Sequence, residues 1–207
     1  MPNWCYNTTF IYGDKKQLEE FWNVIEKEII KGGKGLKTNS WDNLWLGNIF
    51  LHFYNEEEAN KLGLQFRGAF LDLDDESLYY DREKGFIQMK YETAWNPNIE
   101  SWEQLLYDFF PKLKHATEAE ESGMGIYVIK DDEKLFFNDK YVLDALINDD
   151  FYTEYFSKDE DLIDFVNKEF NKNYKSIKEL FEDKNWVEEI ENNNGYFLLN
   201  EFEDYYY

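Results

Sequence analysis

An α+β protein is what this sequence predicts: helices on one face of a mainly antiparallel sheet, followed by an acidic helical region. Three observations carry that expectation. Strand-like and helix-like periodicities alternate through the first two thirds of the 207 residues. Helical stripes take over from about residue 139. Apolar residues make up 43 % of the chain and aromatics 20 %, ample for a core, because each large ring buries roughly 150–250 Å².

Residues 4–12 alternate as a strand, with Trp4, Tyr6, Thr8, Phe10 and Tyr12 on one face and β-branched and aromatic residues dominating. Gly13 ends it. Asp14 is suited to cap a helix over about 15–31, where Leu18, Phe21, Trp22, Ile25 and Ile29 fall at helical spacing. Gly32, Gly33 and Gly35 then open a loop. Residues 42–62 fit either short helices or a strand, with Asn55 placed to cap a turn through Glu56, Glu57 and Glu58. Strands follow over 66–73 and 85–94, separated by an acidic turn region. Ser101 is expected to cap a helix over about 102–111, with Trp102, Leu105, Leu106, Phe109 and Phe110 inward and Pro111 as its stop. Residues 113–120 and 124–130 read as a hairpin around Ser122 and Gly123, and 134–138 as a further strand.

Strand, helix, strand, strand, helix, strand is the split βαββαβ order of a ferredoxin-like layer. Beyond it, helices are predicted over about 140–147, 159–171 and 176–192. Leu162, Phe165, Val166 and Phe170 form one inward stripe; Ile177, Leu180, Phe181, Val187 and Ile190 form another. Asn192 to Gly195 is a stop, and Tyr196–Leu199 fits a short closing strand. The expected division is a ferredoxin-like domain over 1–138 and an acidic, mainly helical extension over 139–207.

Charge narrows the functional classes. Forty-four Asp and Glu against 22 Lys and Arg give a net charge of −22. The excess is uneven: residues 1–115 hold 19 acids and 13 bases, residues 116–207 hold 25 acids and 9 bases. Nucleic-acid binders carry the opposite sign, because Lys and Arg must displace the counterions of phosphate. The same repulsion opposes an anionic membrane surface. A charged partner should therefore be basic, although the charge could equally do no more than keep an aromatic-rich chain dissolved. The single cysteine, Cys5, excludes an internal disulfide and fits the cytosol of a host cell. No secretory leader and no membrane-spanning stretch is read from the sequence.

The opening Met1-Pro2-Asn3-Trp4-Cys5-Tyr6-Asn7 resembles that of the YubB ferredoxin-like family, which is found on plasmids, in phages and in bacterial genomes. Three further segments are similar to it in the same order: Arg67-Gly68 at a strand start, Thr93-Ala94-Trp95-Asn96-Pro97 after a strand, and Glu120-Glu121-Ser122-Gly123-Met124-Gly125 before one. Where that family has a proline pair, this chain has Pro97-Asn98. The resemblance covers about 1–135 and implies a ferredoxin-like core and a home on a mobile element. It implies no catalytic residues, and fold does not fix function.

Several candidate sites can be weighed. His52 and His115 are the only histidines and lack partners at zinc-ligand spacing. His52 lies in an apolar run and reads as a core or edge residue. Cys5 lies in a strand, where a free thiol behaves as a small buried hydrophobe. The glycine run lacks phosphate-loop spacing. Asp72 and Asp74, with Asp75 and Glu76, form the best metal candidate, since hard cations take carboxylate oxygens; a solvated turn between strands is the simpler reading of them. Trp95 precedes Asn96-Pro97 in a predicted loop, where aromatics serve contact, whereas Trp4 and Trp102 read as core.

The strongest candidate is an acidic surface made by Asp159, Glu160, Asp161 and Asp164 on one helix and Glu179, Glu182, Asp183, Glu188, Glu189 and Glu191 beyond it. Carboxylates three and four residues apart on a helix lie about 5–6 Å from one another, close to phosphate spacing on nucleic acid. The expected function is therefore a non-enzymatic interaction protein that needs no cofactor. Its partner would be a basic, nucleic-acid-binding protein such as a defence nuclease complex, inhibited by a nucleic-acid mimic in an anti-CRISPR-like way. The alternatives are a carboxylate-based divalent-metal enzyme around Asp72, Asp74 and Glu92, or a self-assembling accessory domain.

Overall fold

The computed structural model describes residues 3–31, 45–64, 67–71 and 76–205. The chain is mixed α+β and forms two compact units, Met1–Phe137 with Asp204–Tyr207, and Asn138–Glu203.

The first unit begins with β1 (Trp4–Gly13) and α1 (Lys15–Ile25), which continues through one π turn, Glu26–Ile30. The Asp14 side chain accepts from Gln17 N and starts α1. Helices α2 (Gly47–Phe53) and α3 (Glu56–Lys61) follow. Asn55 and Glu58 close a reciprocal capping box at α3, which satisfies two otherwise orphaned donors. Next come β2 (Gly68–Phe70), β3 (Leu78–Asp81), β4 (Phe86–Ala94), α4 (Ile99–Phe109), β5 (Leu113–Glu121) and β6 (Ile126–Lys130). At the end of the chain, β10 (Glu203–Asp204) joins the same sheet, and Tyr205 N donates to Ile129 O at 2.8 Å.

The strand order is β10-β6-β5-β1-β4-β2, with β3 also paired to β4. Strand β1 runs antiparallel to both neighbours, with Thr9 opposite Met89 and Thr117. Alternation decides what faces the helices. Cys5, Asn7, Thr9 and Ile11 are buried, whereas Trp4, Tyr6, Thr8, Phe10 and Tyr12 lie on the other, partly open face. The main core unites Ile11, Ile87, Met89 and Tyr91 from the sheet with Leu18, Phe21, Phe50, Trp102 and Leu105 from the helices. Gly68 must be glycine for space: a Cβ there would lie 2.3 Å from Glu92 O.

Buried polar groups in this core are linked in series. Trp102 Nε1 donates to Tyr91 Oη (2.7 Å), and Tyr91 Oη donates to Asn98 Oδ1 (2.8 Å). Thr9 Oγ1 lies 2.8 Å from Tyr91 Oη and 2.9 Å from Thr117 Oγ1, and His115 Nδ1 lies 3.0 Å from Thr117 Oγ1.

The second unit holds β7 (Tyr141–Ile147), β8 (Asp150–Phe156), α5 (Asp159–Glu169), α6 (Ile177–Glu182), α7 (Lys184–Asn192) and β9 (Tyr196–Glu201). The strands form a sheet in the order β8-β7-β9, antiparallel throughout. Its core joins Tyr141, Leu143 and Ala145 of β7 to Leu162, Val166, Leu180, Trp186 and Ile190 of the helices.

Several expectations need correction. Residues 140–147 are not a helix but the central strand β7, so the C-terminal region is half sheet. Val142, Leu143, Leu146 and Ile147 fit either period, and antiparallel partners on both sides select the extended form. The helix expected over 176–192 breaks at Asp183 (φ −80°, ψ 67°), whose carboxylate caps α7 at Trp186 N and accepts from Tyr174 Oη. Residues 134–138 are a loop, since Phe136 N and Phe137 N donate to Asp131 Oδ2 rather than to a strand. Helix α4 starts at Ile99, so Ser101 is inside it and Asn98 occupies the cap position. Strand β3 lies in the region expected to be a turn.

Because Tyr91 Oη serves three buried partners, Tyr91→Phe should leave Trp102 Nε1–H and Thr9 without acceptors at little change in volume. We expect a loss of about 2–4 kcal/mol, read by urea denaturation followed through tryptophan fluorescence.

Candidate functional site

The acids singled out in the second unit fall into two groups. Asp159 and Asp183 are committed to the fold. Asp159 accepts from Lys140 Nζ at 2.7 Å and from Tyr141 Oη at 3.1 Å, and the Lys140 hydrogen bond holds its carboxyl below the usual range. Asp183 is lowered likewise, first by the Tyr174 hydroxyl and then by Trp186 N. Glu179 accepts from Lys175 N at 2.8 Å, and Glu182 pairs with Lys178 at 3.7 Å.

Glu160, Asp161, Asp164, Glu188, Glu189 and Glu191 form the other group. All six are exposed, and among the described residues no hydrogen bond or ion pair occupies their side chains. Their positions follow from the helices' apolar stripes. Leu162, Ile163 and Val166 turn α5 toward the sheet, and Trp186 and Ile190 do the same for α7, so the acids between them face out. Both helices pack into one core on one sheet face, where the Phe170 ring that ends α5 lies 5.5 Å from that of Trp186 on α7. The two acidic faces therefore belong to one helical layer. The unit holds 18 Asp and Glu against 7 Lys.

Trp95 stands after β4, 42 % exposed, with φ at +76°, a region bulky side chains rarely adopt. Trp102 is fully buried. Asp72 and Asp74 lie outside the described residues, as do Asp75 and the glycine run. Among the described residues no group of three His, Cys, Asp or Glu side chains could hold a metal ion, and no helix is long and apolar enough to cross a membrane. Cys5 is fully buried, and burial pushes its thiol up to about 12, which removes it as a nucleophile at neutral pH. His52 Nδ1 lies 2.9 Å from Glu28 Oε1, and Lys27 Nζ lies 2.6 Å from the same oxygen.

Sequence reasoning missed a second place. In the first unit a cleft of about 740 Å³ opens between α4 and strands β5 and β6, lined by Tyr12, Glu103, Tyr107, His115, Lys130 and Asp132 among others. Lys130 Nζ pairs with Asp132 Oδ2 at 2.8 Å and Glu103 Oε1 at 3.1 Å. Desolvation would lower its ammonium, but the hydrogen bonds it donates to Asp132 and Glu103 outweigh that and raise it. Burial, aided by the charge of Lys130, depresses His115 to about 3. The residues are far apart in sequence, and only the alternation of 113–121 hinted that His115 faces the helices.

A histidine held neutral makes stability fall with acid. Unfolded, His115 returns toward its ordinary 6.5, so between there and about 3 the unfolded chain binds the extra proton. The contribution is complete above the upper value and is lost as pH falls toward the lower. In the folded protein the His115 ring resonances should stay unchanged from about pH 8 to about pH 5 in an NMR titration; a midpoint near that of a free histidine contradicts the assignment.

No family model, curated protein or solved structure matches the chain.

Proposed function

We propose that this chain is a non-enzymatic binding protein whose second unit offers the outer face of α5 and α7 to a basic, nucleic-acid-handling protein. One observation carries the reading: six exposed carboxylates, unengaged among the described residues, sit on two helices of one layer. Within α5, Glu160 and Asp164 are one turn apart, as are Glu188 and Glu191 within α7, so rigid backbone sets the charge spacing. Such a field attracts a cationic channel and speeds encounter. Inhibition of a defence nuclease by nucleic-acid mimicry is the concrete form of the proposal.

The ferredoxin-like reading of the first unit belongs to the same proposal. The order β5-β1-β4 with β2 and β3 beyond β4, and helices between β1 and β2 and between β4 and β5, supports a split βαββαβ core. The resemblance to the YubB family supplies the suggestion of a mobile element.

A second reading, self-association, draws on a different surface. The face of β7, β8 and β9 turned away from the helices carries Phe151, 76 % exposed, with Tyr155 and Leu198 also exposed, and apolar strand faces favour contact.

Capture from host lysate separates the two. The mimic reading expects a basic protein retained at ~50 mM salt and largely lost at ~300 mM. Combined Glu160→Gln, Asp164→Asn, Glu188→Gln and Glu191→Gln should weaken retention roughly tenfold or more while leaving the thermal midpoint within a few degrees, since these side chains are exposed. Retention unaffected by the four changes sinks the proposal. A salt-insensitive dimer in sedimentation supports self-association instead.

A further inference from the structure

The cleft beside α4 contains a buried acceptor with nothing to accept. His115 has a side chain only 3 % exposed, and its Nε2 has no hydrogen-bond partner among the described residues. With Asn98 Oδ1 turned toward Tyr91, the polar series in the core assigns the proton to one nitrogen. Trp102 Nε1–H can only donate, and Tyr91 gives its hydrogen to Asn98 Oδ1. Thr9 must therefore donate to Tyr91, Thr117 to Thr9, and His115 Nδ1–H to Thr117 Oγ1. That leaves Nε2 as a bare lone pair. An unmet buried acceptor costs free energy, and the residue that carries it lies at the wall of the cleft.

The surroundings select what would meet it. Glu103 Oε1 is 3.9 Å from Nε2, too far for a hydrogen bond but suited to share a donor placed between them. The carboxylates lining the cleft are Glu100, Glu103, Asp132 and Glu133, against the two cations Lys114 and Lys130. Lys114 is paired with Glu133, and Lys130 with Glu103 and Asp132. Glu100 receives the Tyr205 hydroxyl. The lining thus keeps an acidic surplus even with both lysines counted, and a neutral imidazole adds no positive charge. Leu106, Leu113 and Pro111 supply apolar wall. At about 740 Å³ the space falls within the range of small-molecule sites, about 300–1,000 Å³.

We propose that this cleft binds a small aliphatic amine, its ammonium donating to His115 Nε2 and Glu103 and its stem lying along Leu106 and Leu113. The site is separate from the acidic helices of the second unit, so either proposal can fail alone.

The test uses the full chain with ¹⁵N-labelled histidine, whose two rings are told apart with a His52→Gln variant. At ~150 mM salt, which screens the distributed surface charge, n-butylamine should move the His115 Nε2 resonance saturably. n-Butyltrimethylammonium has the same stem and charge but no N–H, and should leave it in place. Glu103→Gln should weaken the response roughly tenfold. Asp132→Asn, at a side chain 75 % exposed and so safe for folding, should weaken it less. The proposal is overturned if both cations move Nε2 alike, if n-butylamine leaves it unmoved, or if Glu103→Gln responds as the parent does.

Discussion

The Tyr91 hydroxyl receives hydrogen bonds from Trp102 on α4 and Thr9 on β1 and gives its own to Asn98, the cap residue of α4, so β1 and α4 are fixed to β4 at a single buried oxygen. A fully satisfied buried network specifies one arrangement, because any slip strands a donor in low dielectric. A one-residue shift of β1 against β4 would also turn Thr9 to the open face and bring Phe10 into the helical core. The ring of Tyr91 meanwhile packs edge-on to Trp102 and Phe70. The same residue therefore sets the register of the sheet, the seat of α4, and the direction in which protons are ordered as far as His115. The unusual state of that histidine follows from the core, not from its own neighbours in sequence.

Much of the first unit was legible because its strands have one covered face. Residues 86–94 alternate without interruption, and every second residue is buried. Asp14 and Asn55 act as caps because their side chains reach amides three residues on, a purely local relation. The misreadings occurred where local signals were balanced. In 141–147 apolar residues satisfy both periods, and only the neighbours Phe151–Phe156 and Tyr196–Glu201 decide. Strand β3 was hidden by the acidic residues around it, yet pairing sets Leu78 opposite Met89 and Tyr80 opposite Ile87, so that Leu78 enters the core and Tyr80 packs against it.

Of the candidate site, local sequence revealed the acids but not their occupation. Asp159 and Glu160 are adjacent and alike on paper. One is bound by Lys140 and Tyr141, and the other faces out. Which acid is spent on structure depends on a partner 18 or 19 residues away. The cleft around His115 was less accessible still. It needs Glu103, His115 and Lys130 from a helix and two strands, and no spacing in the chain encodes that meeting.

The charge and the aromatic content of the chain are two sides of one constraint. Eleven more acids than bases within the second unit oppose compaction through mutual repulsion, in a fold too small to have stability to spare. Its core answers with rings: Tyr152 and Phe165 meet Phe170, which meets Trp186, which meets Phe197 and Tyr174. Each aromatic pair adds about 0.5–1.5 kcal/mol beyond the area it buries, so such a chain offsets repulsion that an aliphatic core of equal size would meet less easily. Lys172 over the Trp186 ring, 4.5 Å from its centroid, places one of the few cations where it stabilises the core and leaves the outer acids uncompensated. Acidic surplus of this kind also keeps an aromatic-rich chain dissolved, and the apolar stripes of α5 and α7 concentrate it on their outer faces. On the proposed binding role, surplus carboxylate on the outside of this aromatic-cored layer is the arrangement that would let repulsion within the protein be offset by attraction to a basic partner.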